Sequence, residues 1–156
     1  MKPQLFIFDA DGTLRRTTVP GKPCPDGPGE WQLLPGVRDI LSAICWDQNG
    51  FSIGIASNQG GVACGYLTRE SASRLLVDMV VSAIGYLPLR SYIELCTCAP
   101  IANCECRKPA PGMLLRILEQ SGVPADQALF VGDSEEDMEA AKRAGMHFSW
   151  AEDFFA

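Results

Sequence analysis

Asp9 and Asp11 follow directly on the apolar run Leu5-Phe-Ile-Phe8 and lead into Gly12-Thr13-Leu14. An apolar run ending in acid groups reads as a buried strand that delivers them to its carboxyl end, where open α/β sheets bind ligands. Residues two apart on an ideal strand share a face. Paired carboxylate oxygens suit a hard cation such as Mg²⁺, and a carboxylate can also attack phosphorus. A strand followed by a plain Asp-Gly turn would look the same locally, so the rest of the chain must decide between them.

Polar groups recur at the ends of two other apolar segments. Ser57 and Asn58 follow Phe51–Ala56, and Asp133 follows Ala128–Val131, with Asp137 one helical turn later. Arg107-Lys108-Pro109 sets fixed positive charge just before a helix start. Together these are the parts of a phosphoryl-transfer site. One carboxylate attacks, one handles protons, another holds metal, and a lysine and a hydroxyl bind the phosphoryl oxygens.

Four of the seven cysteines form a second constellation, Cys96-x-Cys98 and Cys104-x-Cys106. In an extended segment each pair projects to one side, so both can pinch a single ion. Four thiolates around Zn²⁺ make a closed, tetrahedral, structural site. Disulfides are the rival use of these residues, and a reducing compartment argues against them. Cys24, Cys45 and Cys64 are scattered, and Cys45, in a helical pattern, reads as a buried thiol.

The elements that must position these groups alternate between strand and helix, as in a parallel sheet covered by helices on both faces. Strands are expected at 4–8, 51–56, 92–98, 128–131 and 146–150. Helices are expected from Pro35-Gly36 to Asn49-Gly50, after the cap Thr68, over 111–120 and over 135–144. Residues 15–34, rich in proline and glycine, are too long for a simple connection and read as a functional loop over the site. Arg15, Arg16 and Lys22 within it are candidates for binding an anionic group. His147 lies far from every motif and reads as a packed or surface residue.

At 156 residues, with 47 % apolar and 21 % charged, the chain is expected to be one soluble domain spanning 1–156. No apolar run approaches the roughly 20 residues of a membrane span, and the start does not resemble a signal peptide. A cytoplasmic, monomeric protein is the expectation. The net charge of −6 argues against broad, nonspecific nucleic-acid binding.

The whole pattern resembles the haloacid dehalogenase superfamily of phosphohydrolases. Asp9-Ala-Asp11-Gly-Thr-Leu is similar to its first motif, Ser57-Asn58-Gln59 to its second, Lys108-Pro109 to its third and Gly132-Asp133-Ser134-Glu-Glu-Asp137 to its fourth. The resemblance implies a Rossmann-like, three-layer α/β fold without a separate cap domain. It makes Asp9 the nucleophile and Asp11 the acid and base. Mg²⁺ would sit on the Asp9 and Asp133 carboxylates and the Asp11 carbonyl, with Asp137 further out, and Ser57 and Lys108 would hold the phosphoryl group. Asn58 and Arg107 are further candidates for contacting substrate. The linked cysteine loop, 96–106, resembles that of heptose bisphosphate and histidinol-phosphate phosphatases, although those relatives usually carry a histidine where Cys98 stands. The expected function is hydrolysis of a small phosphorylated metabolite, heptose 1,7-bisphosphate being the nearest. Histidinol phosphate, the 3′-phosphate of a polynucleotide end, and an idle zinc-stabilised binding module are the alternatives.

Overall fold

The structure, a computed structural model, describes residues 2–156. Its strands are β1 (Leu5–Phe8), β2 (Arg15–Thr17), β3 (Trp31–Leu33), β4 (Ser52–Asn58), β5 (Ser91–Cys96), β6 (Ala128–Gly132) and β7 (His147–Trp150). Its α-helices are α1 (Val37–Ala43), α2 (Arg69–Ile84), α3 (Gly112–Ser121), α4 (Glu135–Ala144) and α5 (Ala151–Phe154). Five strands form one sheet in the order β5-β4-β1-β6-β7, every neighbouring pair parallel. The expected doubly covered α/β architecture is the one found.

β1 lies at the centre, and its continuous apolar run follows from burial on both faces. Leu5 and Ile7 pack with Met113, Ile117 and Phe130 beneath α3 and α4. Phe8 faces the other layer, among Leu41, Trp46, Leu76 and Met79 of the α1 and α2 side. From β1 the chain crosses to β4 on one side and later returns to β6 on the other. This reversal of strand order opens a crevice at the carboxyl ends of the strands, where Asp9, Ser57 and Asp133 all lie.

Four local expectations need correction. α1 stops at Ala43 because Ile44 is extended and Trp46 folds back, its Nε1 donating to Leu41 O at 3.0 Å. The buried indole, edge-on to Phe6 and Phe51, outweighs another helical turn. Cys45 is therefore exposed, not a core thiol. β4 runs on to Asn58, because Ser57 and Asn58 still pair with Leu95 and Cys96 of β5. Residues 15–34 are not irregular throughout, since β2 and β3 pair antiparallel at their two ends. α5 was not foreseen; it carries Phe154 and Phe155 onto Phe6 and Phe8.

The helix ends follow their capping residues. Thr68 accepts from Ser71 N to start α2, and Gly122 and Gly145 end α3 and α4 in the left-handed region. His147 is exposed at the start of β7. Among the described residues, no helix is long and apolar enough to cross a membrane. Trp46→Ala is expected to cost about 3–5 kcal/mol, read as a shift in a urea-unfolding midpoint.

Candidate active site

β1 ends by handing Asp9 into a tight turn. The amides of Thr13, Leu14 and Arg15 all converge on Ala10 O, at 3.2, 2.9 and 3.1 Å, which throws Asp11 toward the crevice. Gly12 is required twice over: its φ is +90°, and a Cβ there would stand 2.0 Å from Asp133 Oδ2. The first and fourth motifs can approach this closely only across a glycine.

Asp9 is buried, with Oδ1 accepting from Lys108 Nζ at 2.7 Å and Oδ2 from Thr13 Oγ1 at 3.3 Å. Burial pushes its carboxyl up to about 8 against the opposing pull of Lys108. Lys108 is buried too, and its Nζ also meets Ala56 O at 2.9 Å and Asp137 Oδ1 at 2.7 Å. Burial pulls the ammonium down, but Asp9 and Asp137 outweigh it and hold the lysine above its usual range.

Asp137 opens α4 by a capping box, its Oδ2 accepting from the amides of Asp133 at 3.1 Å and Ser134 at 3.3 Å. Both of its oxygens are thus committed within the protein, so its place is to seat Lys108 and the 132–134 turn. Asn58 Oδ1 accepts from Lys108 N at 3.0 Å while its Nδ2 donates to Lys108 O at 3.3 Å. This pairing ties β4 to the lysine's backbone. Arg107 donates to Cys98 O at 3.3 Å, linking the cysteine loop to the same wall.

A cavity of about 780 Å³ opens over these groups and is lined by Asp9, Asp11, Ser57, Asn58, Arg107, Lys108 and Asp133. The expected catalytic, phosphoryl-binding and magnesium-binding residues therefore meet in one place, whereas Arg15 and Arg16, expected to bind an anionic group, do not line it. Lys22, at the rim, is paired with Asp26 and Glu30. Arg15 is not available to substrate: it is fully buried and bonded to Asp11. Its real position, and those of Thr13 and Gln59, were missed. All three stand within or beside the first and second motifs, and that adjacency was the one available signal.

The oxygens of Asp9, Asp133 and Asp137 lie within 4.8 Å of one another. Carboxylates gathered this closely repel unless a cation joins them, and an all-oxygen set is the chemistry Mg²⁺ takes. With Asp137 committed, Asp9 and Asp133 are the side chains left to face the ion. The four sulfurs of Cys96, Cys98, Cys104 and Cys106 likewise fall within 4.8 Å of one another. Cys96–Cys104, Cys98–Cys106 and Cys104–Cys106 are 3.6, 3.7 and 3.6 Å apart, while Cys96 and Cys106 are paired as a disulfide, the rival use of these residues. Tetrahedral zinc with bonds of about 2.3 Å has sulfur–sulfur edges of about 3.8 Å; the three open separations match these, so with Cys96 and Cys106 reduced the cluster is compatible with that ion.

The polynucleotide kinase 3 phosphatase family model matches residues 4–156. The chain belongs to this family. D-glycero-beta-D-manno-heptose-1,7-bisphosphate 7-phosphatase of Pseudomonas putida is 35 % identical to this phosphatase over 91 % of its chain and 78 % of the relative. The Pseudomonas aeruginosa enzyme of the same name is 34 % identical, over 91 % and 77 %. Among solved structures, the D,D-heptose 1,7-bisphosphate phosphatase of Bordetella bronchiseptica, complexed with magnesium and phosphate, superposes with a TM-score of 0.77. It is 30 % identical and covers 95 % of this chain and 79 % of its own. A haloacid-dehalogenase-superfamily hydrolase of Geobacter sulfurreducens, 18 % identical with a TM-score of 0.58 over 94 % and 88 % of the two chains, shares the fold. The protein is a phosphoric monoester hydrolase of the haloacid dehalogenase superfamily.

Two outcomes test the metal sites. Because burial raises the Asp9 carboxyl to about 8, Mg²⁺ binding there would compete with a proton. The Mg²⁺-induced rise in Tm should therefore grow from pH 6 to pH 9, as read in paired thermal melts. Cys104→Ser should lower bound zinc from one equivalent toward none by elemental analysis and reduce Tm, since structural zinc contributes directly to folding.

Proposed function

We propose that this phosphatase hydrolyses a small sugar phosphate, heptose 1,7-bisphosphate being the best candidate, through a phosphoryl group carried on Asp9. The carrying observation is a buried carboxylate held by Lys108 at 2.7 Å in a cavity it shares with Asp11 and Ser57. The heptose-1,7-bisphosphate 7-phosphatase activity of relatives about one-third identical supports the sugar.

In the first half-reaction an Asp9 oxygen forms a bond to phosphorus as the ester P–O bond breaks. The Asp11 carboxyl gives its proton to the departing oxygen, which leaves as the sugar hydroxyl. In the second half, Asp11 takes a proton from water, whose oxygen bonds to phosphorus. The Asp9–phosphorus bond then breaks and inorganic phosphate leaves. Ser57 and Lys108 hold the phosphoryl oxygens throughout, and their positive charge and hydrogen bonds count most where charge is concentrated in a dry site. Asp9, Asp133 and the Asp11 carbonyl would hold Mg²⁺, which supplies charge neutralisation between nucleophile and phosphate. Asn58 keeps Lys108 in place, and Arg107 faces the substrate beyond the phosphoryl group.

Residues 1–156 act as one monomeric, cytoplasmic domain, its site covered by the 15–34 segment and the cysteine loop. The family's description favours a second reading, a polynucleotide 3′-phosphatase; the net charge of −6 weighs against it. Phosphate release should be fastest with heptose 1,7-bisphosphate in a panel containing other sugar phosphates, histidinol phosphate and a 3′-phosphorylated oligonucleotide. Preference for the oligonucleotide would replace the sugar reading. Asp9→Asn should abolish turnover on every substrate while keeping the fold and the zinc, and residual activity would defeat the covalent route.

A further inference from the structure

Asp11 is gripped from two sides. Arg15 Nε donates to Oδ1 at 2.8 Å and Nη2 to Oδ2 at 3.3 Å. From the end of β4, Gln59 Nε2 donates to the same Oδ2 at 3.1 Å and to Ser57 Oγ at 2.7 Å. Backbone contacts lock the unit, with Gly12 N donating to Arg15 O at 2.8 Å and Arg15 N to Ala10 O at 3.1 Å.

Arg15 and Gln59 are both 0 % exposed, yet Arg15 Nη1 and Gln59 Oε1 have no hydrogen-bond partner. A buried cation is costly unless it is well paired, and orphaned polar atoms add to that cost. Stability alone is a poor reason to bury these groups half-satisfied. What their remaining donors share is convergence on one carboxylate.

A carboxylate offers about four lone-pair sites. Arg15 occupies one on Oδ1, while Arg15 and Gln59 together fill those on Oδ2. The open site lies on Oδ1. We infer that Arg15 and Gln59 are positioning residues that present Asp11 Oδ1 as the atom carrying the proton to the leaving oxygen. Gln59, by also donating to Ser57 Oγ, fills an acceptor position on that hydroxyl and turns its hydrogen toward the phosphoryl group. The inference rests on Asp11 as proton donor in the reading above.

Leaving-group dependence separates this role from simple support of the fold. A sugar oxygen must gain the Oδ1 proton as its bond to phosphorus breaks, whereas p-nitrophenolate departs with the electron pair and needs no proton. kcat/KM reports events only up to that departure, so hydrolysis of the phosphorylated Asp9 does not enter. For Arg15→Met, the ratio of kcat/KM on the best sugar phosphate to that on p-nitrophenyl phosphate should fall about 10-fold or more, from the 10²–10⁴ that general acids supply. Arg15→Lys should recover part of the ratio. Gln59→Leu should lose activity on both substrates, through Ser57, and still lower the ratio; it carries the test alone if Arg15→Met does not fold. An unchanged ratio in folded variants, with Asp9→Asn inert, overturns the clamp and leaves the phosphatase reading standing. A wild type inactive on both substrates, or an active Asp9→Asn, overturns that reading and the clamp with it.

Discussion

The buried ammonium of Lys108 is the constraint around which this site is built. It sits 2.7 Å from both Asp9 and Asp137 and 2.9 Å from Ala56 O. It therefore joins the ends of β1 and β4 to the first turn of α4. Burying an ammonium with two carboxyl groups is costly, and such a cluster holds only when its geometry and hydrogen bonds are good. The fold meets this by committing Asp137 to two amides and a capping box, which leaves Asp9 the less committed of the two carboxyl groups.

Asp9 and Asp137 show how environment divides work among like groups. Both are buried carboxylates on the same lysine, but Asp137 is filled by backbone donors and Asp9 is not. The sequence spacing that brought Asp137 into the motif is therefore a capping requirement as much as a chemical one. Asp133, exposed between them, contacts Thr13 Oγ1 at 3.5 Å.

Much of this was legible in the chain because strand ends are legible. Apolar runs that stop at Asp9, Ser57 and Asp133 place these side chains at the carboxyl edge of a parallel sheet, whatever the details of the turns. Lys108 was legible because a charge fixed before a proline and a helix has few places to go. Trp46 and Arg15 were not. Periodicity places Cys45 and Trp46 on a continuing helix, and only the three-dimensional gap beside Phe6 and Phe51 makes the indole turn back. Arg15 follows two charges and precedes a polar stretch, the pattern of a solvated cation, and its burial depends on acceptors that converge only after folding. The register that carries β4 through Asn58 likewise comes from its partner β5, not from its own residues.

The residues around the cavity come from two different sources. Its floor is drawn from sheet ends, helix starts and a glycine with no room for a side chain. Its rim comes from the segment between β2 and β3 and from the cysteine loop, which packs on the core through its four sulfurs. The cysteine cluster also gives that loop a set of sulfurs that could hold an ion and cross-link it to itself. A change in the segment between β2 and β3 therefore alters what the cavity admits while leaving Lys108 and its partners on the sheet ends. In such a site, what enters and what holds it are set by different parts of the chain.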